Sequence, residues 1–508
     1  IKKKLSGEIL LFSAEIASAD GKKATLSGIF GKPHPTSTKT ADVFGMNVHL
    51  GRYDAATQWR LLQLLKNAGV STVRADCAFF AADDQKSLQD TFDGLEEQFL
   101  GMEAFNIRPM ACIAYFPPQF YDSPDKLKLA HDWAAVLAAH FKGRSDWHYG
   151  NETNSGWAGF GAATDMAQLN NAFALGTASA DKTALKGSFG IAEGLNNYVE
   201  EFLKSGSGKY LDALCIHPYC GVAEAGIAKS LADRKALHAA NPNAQIWLTE
   251  VGFHVDEKNG RLNPLTKELT QVMGFTLEQQ ADQLARLYAL SAAFGIDRVF
   301  WYDFYGKGDP ETFWLLAPDF SPRPAYLALA LSSKMLKGAT SLGGTQPDEL
   351  LQKHYFKKAD GANLLVCWAL RNETPFQVAP DAKIIDAIGN KVVPGKDGKI
   401  SLGHRLFYIE GSPAPASFDN LQVIASALDK RTWNAPFHRF SVEPGKSLDV
   451  PWVVYNSSGK TVEAAPSLLK TMPGWQVEMP TSLSAGPNQT GTGHFHITAP
   501  PSATPGVE

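Results

Sequence analysis

Between residues 40 and 337, short apolar runs alternate with longer amphipathic stretches, as in a chain of strand–helix units. After the first run, for example, Trp59, Leu62 and Leu65 recur at helical spacing. The runs that predict strands are 43–48, 71–74, 108–114, the run that ends at Asn151 and Glu152, 184–188, 211–217, 245–250 and 298–303. Helices are predicted between them, including 86–105, 124–142 and 276–294. Eight such units predict an α/β fold, a (β/α)8 TIM barrel over residues 37–338. A doubly wound open sheet is the alternative, but no glycine-rich phosphate turn follows the first strand.

The flanking segments have a different pattern, with short strands separated by Asn, Gly and Pro turns. Residues 1–36 predict an N-terminal β segment, a hairpin around Asp20-Gly21 that packs on a sandwich. Residues 339–412 predict a β-sandwich, and 413–508 predict an immunoglobulin-like sandwich. One more strand is expected after the final Pro505-Gly506-Val507-Glu508. The last sandwich is therefore expected to be truncated, or to be completed by an N-terminal strand.

Length and composition narrow the class of protein. A chain of 508 residues predicts two to four domains, and 44% hydrophobic with 20% charged residues indicates an ordinary globular protein. A net charge of −4 shows no excess of basic residues of the kind that binds nucleic acid, so nucleic acid is not expected as a partner. No apolar run reaches the length of a membrane span. A secreted, periplasmic or cell-surface location is expected, with the signal peptide removed. Oligomeric state is left open.

Two glutamates occupy matching places at the ends of predicted strands. Glu152 follows Trp147-His148-Tyr149-Gly150-Asn151, and Glu250 follows Gln245-Ile246-Trp247-Leu248-Thr249. The carboxyl ends of barrel strands meet at one mouth, where barrel active sites lie. A buried charge without a partner is costly, so a carboxylate at each position indicates chemistry. Most glycoside hydrolases use a pair of carboxyl groups as their catalytic residues.

These two stretches resemble the signature of the clan A glycoside hydrolases, which are retaining enzymes with both glutamates on the fourth and seventh barrel strands. The stretch from Phe300 to Tyr326 is similar to the eighth-strand region of family 39 and related members. The resemblance covers about residues 40–337 and implies that Glu152 is the acid/base and Glu250 the nucleophile. Gly150 and Thr153 stand where Trp and Pro are common in these families, so no sugar specificity is carried over.

Further side chains near the predicted strand ends are expected to bind substrate. Asn151 is expected to hydrogen-bond the sugar 2-hydroxyl, and Arg74 to keep Glu250 charged. His217 and Tyr219 are expected to hydrogen-bond the nucleophile or the sugar, and Trp301 to form the floor under the sugar ring. The remaining candidates for subsites are Asn47, His49, Tyr115, Trp157 and Tyr302, together with Phe253, His254 and Trp314.

No cofactor or metal is expected. His148, His217 and His254 have neither the helical spacing nor the Cys partners of a zinc site, and no Gly-x-Ser-x-Gly elbow indicates a serine hydrolase. The five cysteines form neither a disulfide framework nor a zinc pattern. Buried free thiols are expected, with a Cys215–Cys220 disulfide as the alternative.

The sequence therefore predicts a retaining O-glycoside hydrolase that cleaves a β-linked oligo- or polysaccharide by double displacement. Endo and exo action are both open. An exo-acting β-glycosidase, a transglycosylase and a catalytically silent carbohydrate-binding protein are the alternatives.

Overall fold

The structure is a computed structural model. It describes residues 9–17, 23–33, 36, 42–78, 85–114, 116, 118–152, 154–155, 162–192, 197–219, 222–255, 275–306, 308–344, 351–369, 373–412, 421–425, 433–434, 439–440, 442–456, 461–466, 473–486 and 489–503.

An eight-stranded parallel sheet forms the centre of the chain, which confirms the predicted TIM barrel. After an N-terminal pair, β1 (Leu10–Ala17) and β2 (Lys23–Phe30), the barrel strands are β3 (Phe44–Asn47), β4 (Thr72–Ala78), β5 (Arg108–Ala114), β6 (Asp146–Tyr149), β7 (Ile191–Ala192), β8 (Ala213–His217), β9 (Gln245–Val251) and β10 (Arg298–Trp301). The strand order is β6-β5-β4-β3-β10-β9-β8-β7. Parallel bridges from Trp147 to Lys186 and from Gly187 to Ala213 close the ring just before β7.

The barrel interior is filled by apolar side chains, as its hydrophobic strand runs require. Met110, Ala213, Cys215, Trp247 and Phe300 form one completely buried cluster.

At the strand starts, the carboxylate of Asp146 accepts hydrogen bonds from Arg108 and Arg298, both at 2.8 Å. Burial opposes the charge on Asp146, but the two guanidinium groups hold its pKa below the ordinary value. At this end of the barrel the buried charge of Asp146 is therefore compensated by two arginines.

Helices alternate with these strands along the chain. They are α1 (Ala55–Asn67), α2 (Gln85–Ala104), α3 (Pro118–Asp122), α4 (Lys126–His140), α5 (Ala163–Ala180), α6 (Asn197–Lys204), α7 (Ala223–Ala240), α8 (Leu277–Phe294) and α9 (Pro324–Leu336). Local sequence sets their ends: Asp54 caps α1 through the Thr57 amide, and Thr276 forms a capping box with Gln279 at α8. No described helix combines the length and the hydropathy of a membrane span.

The N-terminal hairpin was predicted to pack on a sandwich, but its described contacts are with barrel helices. Strands β1 and β2 pair antiparallel, with Leu10 opposite Phe30. Ile29 of β2 is buried with Ala55 of α1 and Leu100 of α2. The alternation of apolar residues in the hairpin indicates a buried face and does not identify what covers it.

The later strands form antiparallel sheets, which confirms β-sandwich domains after the barrel. They are β11 (Thr340–Gly344), β12 (Leu351–Lys357), β13 (Asn363–Ala369), β14 (Thr374–Gln377), β15 (Lys383–Asp386), β16 (Lys391–Val392), β17 (Lys399–Leu402), β18 (Phe407–Glu410), β19 (Leu421–Ala425), β20 (Trp433–Asn434), β21 (Arg439–Phe440), β22 (Ser447–Asn456), β23 (Val462–Ala464), β24 (Gln476–Glu478), β25 (Leu483–Ala485) and β26 (Gln489–Thr498). The main sheets have the orders β11-β12-β13-β18-β15-β16 and β19-β22-β26-β24.

The chain divides into two compact units. One comprises residues 1–217, 236–252 and 296–316 and contains the whole barrel sheet; the other comprises 218–235, 253–295 and 317–508. The boundaries predicted from the sequence, and the immunoglobulin-like form of the last sandwich, stay predictions.

Candidate active site

The two glutamates lie together at the carboxyl ends of β6 and β9. One carboxylate oxygen of Glu152 and one of Glu250 are within 4.8 Å of each other. Glu250 is 7% exposed, and Glu152 is half-buried. Glu152 has a φ of 47°, a left-handed conformation that non-glycine residues rarely adopt. Strain of this kind is concentrated at functional sites.

A bulge in β9 aims Glu250. The pairing of β9 with β10 shifts between Leu248–Val299 and Val251–Trp301, so that two residues of β9 oppose one of β10. The extra residue of a bulge re-aims its side chain, and bulges are frequent beside active sites.

Arg74, in β4, connects the residues of the two strand ends. Its Nη1 donates to Glu250 Oε1 at 2.6 Å, and its Nη2 donates to Asn151 Oδ1 at 2.7 Å. The guanidinium is 4% exposed and also donates to Cys112 Sγ at 3.2 Å. The contact expected between Arg74 and Glu250 is present, and its predicted role of keeping Glu250 charged stays a prediction.

Asn47 and Asn151 both accept a hydrogen bond from Arg74, but they differ in what their amide hydrogens contact. Asn47 is buried, its Nδ2 donates to the carbonyls of Thr249 and Phe300, and its Oδ1 accepts from Arg74 at 3.0 Å. These bonds leave no amide hydrogen of Asn47 for a sugar, so it positions Arg74 and the strands instead of contacting substrate as predicted. Asn151 is half-buried, and its Oδ1 bond to Arg74 leaves the amide hydrogens for a ligand.

His217, the last residue of β8, stands between the glutamates. Its Nδ1 is 3.0 Å from Glu152 Oε1 and 3.6 Å from Glu250 Oε2, and its Nε2 is 3.0 Å from Thr249 Oγ1. The imidazole is completely buried, which leaves no surface for a sugar, and the glutamate that it hydrogen-bonds is Glu152 and not the predicted nucleophile Glu250. Tyr219 belongs to the other compact unit and is half-buried; its role stays a prediction.

A second histidine, His148, packs behind His217 with their rings 6.4 Å apart. Burial, with the charge of Arg74, holds the pKa of His148 well below its ordinary value. The neutral ring accepts at Nδ1 from Arg74 Nε at 3.3 Å. A Cβ at Gly190 would lie 2.8 Å from His217 Nε2 and 3.1 Å from His148 Nε2. Only glycine therefore leaves room for both rings.

Trp301, predicted as the floor under the sugar, is completely buried, and its Nε1 donates to the Phe313 carbonyl at 3.3 Å. A ring without exposed surface offers nothing to a sugar, so its role here is packing. Tyr302, Tyr305 and Trp314 are among the half-buried aromatic rings beyond β10, and the rings of Tyr305 and Trp314 are 4.8 Å apart. These are better placed to stack on a sugar. Tyr115 and Trp157 lie outside the described residues.

A second polar cluster lies at the ends of β3 and β10, which are neighbouring strands. His49 Nδ1 hydrogen-bonds Asp76, and His49 Nε2 is 3.4 Å from Asp309 Oδ2. Tyr302 donates its hydroxyl to Asp309 Oδ1 at 2.7 Å. Asp303 is completely buried, and burial together with the charge of Asp309 raises its pKa to about 7.

Within the part of the chain that the structure describes, two groups of side chains have the spacing of metal ligands, Glu152–His217–Glu250 and His49–Asp303–Asp309. In the first group Arg74 already supplies a positive charge to Glu250. Of the second group, only His49 was among the predicted site residues. Asp303 and Asp309 lay in a stretch singled out for its family resemblance, but their shared place with His49 depends on the barrel closing. Cys215 is a buried thiol, and Cys220 lies outside the described residues.

Neither a family model nor a curated protein matches the chain. Among solved structures it is similar to a family 39 glycoside hydrolase from the gut symbiont Bacteroides cellulosilyticus WH2, with a TM-score of 0.56 and 19% identity over 79% of this chain and 88% of that one. It is also similar to a glucosidase from Croceicoccus marinus, with a TM-score of 0.51 and 14% identity over 92% and 97% of the two chains. For a family 39 β-xylosidase from Caulobacter crescentus, the TM-score is 0.50 and the identity 13%, over 75% and 98%. The chain therefore has the fold of the family 39-like glycoside hydrolases of clan A, a barrel with appended β-sandwiches.

Proposed function

We propose that the chain is a retaining O-glycoside hydrolase that cleaves β-linked glycans through a glycosyl-enzyme intermediate. The observation that carries the proposal is the pair of carboxylate oxygens within 4.8 Å at the ends of β6 and β9. Retaining enzymes hold their two carboxyl groups about 5–5.5 Å apart, whereas inverting enzymes need about 6.5–9.5 Å to admit a water.

The surroundings of the glutamates support different roles for them. Glu250 accepts a hydrogen bond from a buried guanidinium, which suits an ionised nucleophile. Glu152 is more exposed and hydrogen-bonds the imidazole of His217, which suits a group that loses and regains a proton. When Nε2 of His217 donates to Thr249 Oγ1, Nδ1 can accept from the protonated carboxyl of Glu152.

The proposed reaction has two steps. A Glu250 oxygen attacks the anomeric carbon, the glycosidic C–O bond breaks, and the departing oxygen takes the proton of Glu152. The Glu152 carboxylate then removes a proton from water, whose oxygen attacks the same carbon and releases Glu250. Asn151, held by Arg74, offers its amide hydrogens to the sugar 2-hydroxyl in both steps.

Anion rescue tests both the mechanism and the roles. The neighbouring folds include a glucosidase and a β-xylosidase, so aryl β-glucosides and aryl β-xylosides are the first substrates to try, followed by polysaccharides. Glu152→Gln and Glu250→Gln should each lower kcat/KM by at least about 10³-fold on a natural glycan. Glu201→Gln, at an exposed position of α6, is the matched control and should retain activity.

With azide, Glu250→Ala should yield the α-glycosyl azide, because azide attacks from the face that the nucleophile has vacated. Glu152→Ala should yield the β-glycosyl azide, because azide then displaces Glu250 from the intermediate. The opposite pair of products would exchange the two roles. Release of an inverted product by the parent enzyme in ¹H NMR would refute the retaining mechanism, and glycan binding with no turnover of any substrate would favour a silent carbohydrate-binding protein.

A further inference from the structure

The cluster of His49, Asp303 and Asp309 has no part in the proposed double displacement. One ligand-type atom from each lies within 4.8 Å of the others. Both Asp303 oxygens and His49 Nε2 are buried without a hydrogen-bond partner in the described part of the chain. A buried carboxylate left unpaired is costly, and proteins compensate such charges by pairing them or by metal coordination. Asp303 is completely buried, so the compensating group has to be small.

From this geometry we infer that His49, Asp303 and Asp309 bind a divalent first-row transition cation such as Zn²⁺. Ligand atoms about 2.1 Å from a tetrahedral ion lie about 3.4 Å from one another. His49 Nε2 and Asp309 Oδ2 are 3.4 Å apart. One imidazole with two carboxylates suits Zn²⁺ or Mn²⁺, whereas Ca²⁺ and Mg²⁺ prefer oxygen ligands alone.

The groups around the three ligands are arranged for a cation. Asp76 bonds His49 at Nδ1, which leaves the Nε2 lone pair for coordination; metal-binding histidines are commonly held by a carboxylate in this way. Arg52 bonds Asp309, and Arg74 also lies close enough to act on Asp76 but is already paired with Glu250, so the three carboxylates Asp76, Asp303 and Asp309 outnumber the guanidinium groups near them. With a neutral imidazole the cluster keeps an excess of negative charge, which a divalent ion would neutralise.

The backbone next to Asp303 is shaped for the same purpose. A Cβ at Gly306 would lie 2.1 Å from Asp303 Oδ2 and 2.9 Å from the Cβ of Asp309. Glycine at this position lets the two carboxylates approach. The cation would join the ends of β3 and β10 and fix Asp309, to which the Tyr302 hydroxyl is bonded. Its role is to position this edge of the barrel mouth.

Metal binding is measured without substrate, so the result does not depend on the proposed hydrolysis. The protein is stripped with a chelator and dialysed, then titrated with Zn²⁺ and with Mn²⁺ by calorimetry, with metal content read by mass spectrometry. One equivalent of Zn²⁺ should bind, and Tm should rise. Asp303→Asn, which keeps the shape and removes the charge, should bind at least about 100-fold more weakly. Without metal, that variant should unfold no lower than the parent.

His131→Gln is the matched control, because His131 forms an exposed pair with Asp132 on α4. It should leave the stoichiometry and affinity unchanged. Asp309→Asn provides a second loss of binding if Asp303→Asn fails to fold. Binding that survives in both Asp variants, or that disappears in His131→Gln, would assign the metal to surface histidines and overturn the inference. Saturation well below one equivalent in the parent would overturn it too.

Discussion

Replacing Arg74 by methionine tests whether its guanidinium holds the nucleophile in place. The side chain is 4% exposed and donates to Glu250 at 2.6 Å and to Asn151 at 2.7 Å. Removing one partner of a buried ion pair costs about 3–5 kcal/mol, because the other charge is left uncompensated. Glu250 is 7% exposed, so water can solvate the uncompensated carboxylate and reduce this cost. We therefore expect the lower limit, a loss of about 3 kcal/mol in the free energy of unfolding.

The catalytic effect should be comparable, since Arg74 orients both the nucleophile and Asn151. We expect Arg74→Met to lower kcat/KM by about 10²-fold, equivalent to about 2.7 kcal/mol of transition-state stabilisation. If the contacts of Arg74 stabilise chiefly the transition state, kcat should fall by the same factor as kcat/KM. Arg74→Lys keeps the charge but cannot bond two residues with one planar fork, so a loss of about tenfold is expected. The assay is steady-state hydrolysis of the best aryl β-glycoside, beside urea unfolding.

Arg298→Met separates catalysis from stability. Arg298 is 3% exposed and donates to Asp146 at 2.8 Å, but it lies at the strand starts, opposite the mouth. The variant should lose similar stability yet keep kcat/KM within about threefold at a temperature where it is folded. Equal kcat/KM for Arg74→Met and Arg298→Met would refute the reasoning, because the effect of Arg74 would then be one of stability alone.

Three more changes have clear expected outcomes. Gly190→Ala should displace His217 and lower kcat about tenfold, whereas Gly94→Ala, whose Cβ would meet no atom within 4 Å, should keep full activity; equal rates would contradict the packing argument. Burial raises the pKa of Asp233 from 3.8 to about 8. The stability that this carboxyl contributes below pH 4 therefore falls as the pH rises and is lost once the pH has passed about 8. Asp233→Asn should thus raise Tm at pH 9 and leave it unchanged at pH 4 in calorimetric scans, and a shift at both pH values would disprove the linkage. Trp314→Ala should raise KM about tenfold for an oligosaccharide with little change in kcat if the ring stacks on sugar, and an unchanged KM would exclude that contact.

The barrel and its two glutamates could be predicted because both follow from simple periodicity. Apolar runs alternating with amphipathic stretches define strand–helix units, and the carboxyl ends of parallel barrel strands meet at one mouth. Arg74 was predictable for the same reason, since a charged residue in an apolar run needs a partner at that mouth.

Side-chain direction at the strand ends was not predictable, and Trp301 shows why. Neighbouring strand residues point to opposite sides, so a shift of one residue exchanges a buried ring for an exposed one. Phe300 belongs to the buried cluster inside the barrel, so its neighbour Trp301 points to the other side of β10, where it is also buried. Tyr302, just beyond the strand, is half-buried, and no local signal in the sequence shows which of these rings faces the mouth.

The second cluster was missed for a different reason. A search for metal ligands in a sequence relies on short spacings such as two histidines one helical turn apart, and His49 has no such neighbour. Asp303 and Asp309 follow the last barrel strand, about 250 residues later in the sequence. Only the closure of the barrel, which pairs β3 with β10, brings them next to His49. The first and last strands of a barrel are therefore where a ligand set is least visible in the sequence. In this chain the same closure leaves Asp303 buried beside Asp309, an arrangement that is costly while both carboxylates are ionised and that a cation between them would stabilise.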